Sequence, residues 1–125
     1  MERRRILTHF TNAEGLSGIT GLDPDSLFAG EATIVNRAQF GVGWNPHYAS
    51  AEGVIFITEH GPDVSEGTLN GIGVFPEKQQ FAIQIDAETY FNNEIRIMPE
   101  RISLSIFSIP ANSLVLGEIR VTKRF

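Results

Sequence analysis

Apolar and polar positions alternate along residues 6–11, and this period of two predicts a strand. Ile6, Thr8 and Phe10 fall on one face of it, and Leu7, His9 and Thr11 on the other. Asn12 reads as the N-cap of a helix that opens at Ala13 and Glu14 and turns Leu16 and Ile19 inward. Residues 21–25 form a turn cluster, and residues 26–37 have weak periodicity, which predicts a loop with at most one short element. Residues 40–44 space bulky side chains with glycine, and Asn45-Pro46 predicts the start of a short helix through Tyr48, Ala51 and Glu52 that Gly53 ends. The run 54–58 is the most apolar in the chain and predicts a central strand buried on both faces. Residues 59–73, rich in Gly, Pro, Asp, Ser and Asn, predict a long mobile loop. A strand over 81–85 follows, with Asp86 capping a short helix through Tyr90 and Phe91. The remainder reads as β, over 95–98, 102–107 and 114–121, broken at Pro99 and at Pro110-Ala111-Asn112. Short helices early and strands late predict an α+β fold of two small packed β-sheets.

Composition narrows the chemistry. The 125 residues suffice for one domain with its own core, spanning 1–125. With 0 cysteines, disulfides, thiolate zinc sites and a Cys nucleophile are excluded, and the 3 histidines do not recur at metal-ligand spacing, so no metal is expected. No apolar run approaches the roughly 20 residues of a membrane span, and Arg3-Arg4-Arg5 is followed by no apolar segment of a secretory signal. A net charge of −5 disfavours nucleic acid as a partner. The basic residues at the two ends, Arg3 to Arg5 and Arg120, Lys123 and Arg124, are read as terminal strands paired at a solvated edge.

Phosphate-loop, dinucleotide-fingerprint and nucleophile-elbow motifs are missing; the pairs Gly41-Val42-Gly43 and Gly71-Ile72-Gly73 lack a third glycine. Carboxylates remain. Glu94 follows Asn92-Asn93 and leads into an apolar strand, where its neighbours can aim it into a cleft; Glu118 is the rival, read as an exposed strand residue paired with an Arg or Lys. His9 and Thr11, at a strand end beside helix-start amides, suit a ligand that is polar and anionic at one end.

His9-Phe10-Thr11 at the end of a first strand, followed by a short helix, resembles the opening motif of the ADP-ribosyltransferase fold. Diphtheria-type toxins, poly-ADP-ribose polymerases and the small C-terminal toxin domains of bacterial polymorphic (Rhs-type) toxins share that opening. Residues 53–58 are similar to the second motif, a glycine-led strand written Gly-x-Tyr-Phe-Thr, and residues 93–97 resemble the third, in which a Glu opens a strand. Residues 109–114 resemble the Ile-Pro-x-x-x-Leu segment of many toxin members. Two departures stand out. Phe56 replaces the Tyr of the second motif, unless Phe40, Trp44 or Tyr48 supplies the aromatic wall, and Glu118 competes with Glu94 for the third.

The resemblance implies NAD bound in a cleft between two sheets, with no metal. It implies Glu94 as the catalytic carboxylate, and His9, Phe10, Thr11, Tyr48, Phe56 and Thr58 as NAD-binding residues. The implied activity is mono-ADP-ribosyl transfer to a target-cell macromolecule, most simply a protein, with release of nicotinamide. It further implies a toxin of interbacterial competition, delivered within a larger secreted protein to the target-cell cytoplasm and blocked by a cognate immunity protein. An NAD glycohydrolase on the same fold, or a non-enzymatic β-rich binding or immunity module, are the alternatives.

Overall fold

The computed structural model describes residues 6–40, 54–72, 74, 76–86, 98–99, 106–110 and 114–125. Among these, seven strands form one antiparallel sheet: β1 (Ile6–Thr11), β2 (Ala32–Gln39), β3 (Val54–Thr58), β4 (Phe81–Asp86), β5 (Met98–Pro99), β6 (Ile106–Pro110) and β7 (Leu114–Lys123). Their order across the sheet is β2-β7-β4-β1-β3-β6-β5. Helix α1 (Ala13–Thr20) covers one face and α2 (Glu66–Gly71) the other, with 3-10 turns at Pro24–Ser26 and Pro76–Lys78.

Strand β1 forms where the alternation places it, but both of its faces are used. Leu7 joins the larger core with Leu16 and Ile19 of α1, Ile83 and Ile85 of β4, and Val115, Ile119 and Val121 of β7. Phe10 joins Ala82 and Leu69 on the α2 side. Asn12 caps α1 as expected: its Oδ1 accepts the Gly15 N–H at 2.8 Å. The helix ends at Gly21, whose φ of 76° is the left-handed conformation a C-cap requires, its N–H donating to the Ser17 carbonyl at 2.9 Å.

Gly15 is set by a close approach. A Cβ there would lie 1.9 Å from Thr11 Oγ1, so the Thr11 hydroxyl occupies the space a side chain would need. Gly15→Ala is expected to destabilise by about 1–2 kcal/mol in urea unfolding, the clash outweighing the gain in helix propensity. Adding Thr11→Ala should recover most of that loss, because the two changes share one space.

Several expectations are corrected. Residues 26–37 are mostly not loop: β2 pairs with β7 from Ala32↔Thr122 to Gln39↔Leu114. Its pattern is obscured because the register shifts between Val35 and Arg37, leaving Asn36 and Arg37 both exposed before Ala38 turns inward. The 59–73 segment holds α2, capped by Ser65 and burying a single residue, Leu69. The terminal strands do not pair with each other, since β4 lies between β1 and β7, and β7 is an interior strand. The breaks at Pro99 and Pro110 fall as expected, where β5 and β6 end, but the described part of β6 runs from Ile106 to Pro110. The proposed helices at 45–52 and 86–91 fall outside the described residues, apart from Asp86 at the end of β4.

Two separate sheets are also replaced, by one sheet with a seam. β1 and β4 pair along their whole lengths, from Ile6↔Asp86 to Thr11↔Phe81. Between β1 and β3 the described ladder is the single pair Thr8↔Thr58. Among the described residues the sheet is therefore two well-paired wings, β2-β7-β4-β1 and β3-β6-β5, joined at the pair Thr8↔Thr58.

On the α2 side Arg124 ties three segments together. Its Nε donates to the Pro62 carbonyl at 3.0 Å, Nη1 to that of Gln79 at 3.0 Å, and Nη2 to that of Val64. The guanidinium lies 5.3 Å from the centroid of the Phe10 ring. Burial lowers its pKa from the usual arginine value, and Glu66 and Asp63 oppose that shift.

Candidate functional site

The register of β1 sorts the residues singled out from sequence into two groups. His9 and Thr11 point to the α1 side, with Leu7; Thr8 and Phe10 point to the α2 side. Thr58 stands directly opposite Thr8 and shares its face, while its neighbour Ile57 joins the α1-side core. One ligand on the α1 side can thus meet His9 and Thr11 but not Phe10 or Thr58. Phe10 is buried under Arg124 and against Leu69, and its ring is used for packing. The Thr58 hydroxyl accepts the His60 N–H at 3.3 Å.

His9 is half-buried near the seam, beyond Thr8 on β1. Its ring meets Phe40 edge-on, with centroids 5.6 Å apart and planes at 87°. Phe40 directly follows β2 and is fully buried, so it is a fixed wall that sets the plane of the imidazole. Phe40→Leu, which keeps an apolar core residue, is expected to cost about 1–2 kcal/mol in stability. It should also shift the His9 ring resonances in an NMR spectrum by removing the neighbouring ring current.

Next along β1, Thr11 is buried beneath the start of α1, its hydroxyl over Gly15. The Gly15 amide is already taken by the Asn12 cap, so the amide there is not open to a ligand as the sequence suggested. Lys78, in the turn before β4, lies within electrostatic reach of Glu14 in the first turn of α1. Burial lowers its pKa from 10.5, while Glu77 and Glu14 act to raise it. Of these groups His9 alone is both half-buried and polar at the border of the seam, while the Thr11 hydroxyl and the Gly15 amide are occupied within the fold.

The competing carboxylate is far from this group. Glu118 is exposed on β7, where it and Gly117 stand against Asn36 at the register shift. Val121, opposite Ile83, is the β7 residue in line with His9, and Ile83 pairs with His9 itself. Glu118 is therefore two strands across, about 10 Å, and three residues along, about another 10 Å. Glu94, Trp44 and Tyr48 lie outside the described residues, and Phe56 is placed only by its backbone, opposite Ser108 in β3. Among the described residues no group of three or more His, Asp or Glu side chains could hold a metal ion, and no helix is long and apolar enough to cross a membrane.

No family model, curated protein or solved structure matches this chain.

Sequence reasoning missed Gly15 and Lys78. A glycine in the first turn of a capped helix was the available signal for the former. Lys78 carried none, because its proximity to Glu14 arises from the pairing of β1 with β4.

Proposed function

We propose that this domain is an NAD-dependent mono-ADP-ribosyltransferase that modifies a protein of a target cell and releases nicotinamide. The observation that carries this reading is the seam: past Thr8↔Thr58 the ladder between β1 and β3 ends, and His9, braced by Phe40, stands on β1 at that point. A split between two wings, with a fixed imidazole on its border, supports a cleft able to take an extended dinucleotide.

In this reading His9 hydrogen-bonds the adenosine-side ribose, and Thr11 contributes at the same face of β1. Tyr48 stacks on nicotinamide. The bond from the nicotinamide nitrogen to the ribose carbon breaks, nicotinamide leaves with the electron pair, and positive charge develops on the ribose. Glu94 holds a ribose hydroxyl and offsets that charge, an interaction stronger in the transition state than in the ground state. An acceptor side chain then bonds to the ribose carbon and gives up its proton. Delivery within a larger secreted toxin, and inhibition by an immunity protein that fills the cleft, complete the proposal.

The test is NAD turnover in a bacterial lysate, with label on the adenosine. Label on a discrete protein band, accompanied by free nicotinamide, is the expected result. Free nicotinamide without protein label would make the domain a glycohydrolase, with water as the acceptor. Untouched NAD in the presence of folded protein would leave a non-enzymatic binding module.

A further inference from the structure

We propose that the seam is a gate: β3, carrying β6 and β5, shuts against β1 by zipping their ladder onward from Thr8↔Thr58. The two strands are already set for this. Continuing the register of that pair brings Phe10 opposite Phe56 and Thr11 opposite Ile55, and the described ladder contains neither pair. The faces agree as well, since Thr8 and Thr58 share the α2 side while Leu7 and Ile57 both lie in the α1-side core. All these residues are extended within β1 and β3, so closing orders little new chain. Alternate residues of an antiparallel pair aim N–H and C=O at each other, and every such bond made on closing favours the shut state.

A buried hydroxyl at the pivot points the same way. Thr8 is 1% exposed, and its Oγ1 has no hydrogen-bond partner among the described residues. Directly opposite, the buried Thr58 hydroxyl accepts the His60 N–H at 3.3 Å and keeps its own hydrogen to give. A buried hydroxyl left without a partner is costly, and a small approach of β3 to β1 lets Thr58 donate to Thr8. The moving piece and its pivot are both defined. β3 pairs with β6 from Val54↔Pro110 to Thr58↔Ile106, so the two strands travel together. Just past Thr58, Arg124 holds the Pro62 and Val64 carbonyls to the end of β7, which confines the turning on this side to residues 59–61.

Amide hydrogen exchange and nuclear Overhauser contacts, read by NMR on the full chain without NAD, test the gate. The seam-facing amides of residues 9–11 and 55–57 are expected to exchange about 10²-fold more slowly than in unstructured peptide. A contact between backbone protons of Phe10 and Phe56 should accompany that protection. Thr8→Val keeps the shape of the side chain and removes the hydroxyl that closing satisfies. It should cut the seam protection about three- to tenfold, while the amides that bond β1 to β4 exchange as in wild type and show the fold intact. Seam amides that exchange as fast as unstructured peptide overturn the proposal. So does protection without the Phe10–Phe56 contact, or protection that Thr8→Val leaves unchanged. None of these readings depends on NAD turnover, so a failed gate and a failed activity are told apart.

Discussion

Glu94→Gln is expected to lower kcat for NAD cleavage by about 10²–10³-fold, with KM changed no more than a few-fold. The amide keeps the size of the carboxylate and can still accept a hydrogen bond from a ribose hydroxyl. It loses the negative charge, and in the proposed reaction only the charge answers the cation that forms as nicotinamide departs. Removing one preorganised electrostatic group from a comparable site costs about 2.7–4 kcal/mol of barrier, which sets the expected range. Glu118→Gln is the control. Its distance from His9 predicts a rate within a factor of two of wild type, by about the reasoning that exposed, remote substitutions act within ±0.5 kcal/mol. A Glu118 variant that loses activity while the Glu94 variant keeps it would sink the assignment of the third motif.

Arg124→Leu is expected to lower the free energy of unfolding by about 3 kcal/mol. Hydrogen bonds to charged groups contribute about 1.5–3 kcal/mol each when fully buried. Arg124 is only partly buried, so the lower end applies, and the carbonyls of Pro62, Gln79 and Val64 regain some water when it is gone. Loss of the cation over the Phe10 ring adds about 0.5–1 kcal/mol. For a domain of this size the melting temperature should fall by about 10 °C or more. Arg124→Lys tests the geometry: one ammonium cannot span three carbonyls as a planar fork does, so more than half of the loss should remain. If Arg124→Leu costs under about 0.5 kcal/mol, the three contacts hold nothing that solvent would not replace.

Arg124 also marks where sequence reading runs out. Its partners are backbone carbonyls 45, 60 and 62 residues away, and no side-chain pattern advertises a carbonyl. By contrast β1, Asn12 and α1 are legible because every signal there is local: the alternation, the cap, the inward Leu16 and Ile19, and Gly21 at the end. Strand β2 was hidden by its own register shift, which breaks the period of two midway, and by an outer edge that needs no apolar side chains. Helix α2 was hidden by Gly67 and Gly71 and by a buried face of one residue. The site divides likewise. His9 and Thr11 were placed together correctly by alternation, whereas Phe10 and Thr58 were grouped with them by motif order, and the pairing Thr8↔Thr58 sets them on the other face.

The position of β7 bears on how this chain reaches its fold. β7 is the last of the strands in chain order, yet it lies between β2 and β4 and hydrogen-bonds to both. While the chain emerges from a ribosome, β2 has no neighbour to pair with, and β4 lacks one of its two. The α1-side core cannot close until Val115, Ile119 and Val121 arrive. Closure is then a late, long-range event, of the kind that slows folding and leaves apolar surface exposed in the meantime. A nascent chain that stops short of β7 has the His9 strand but no finished core to hold it.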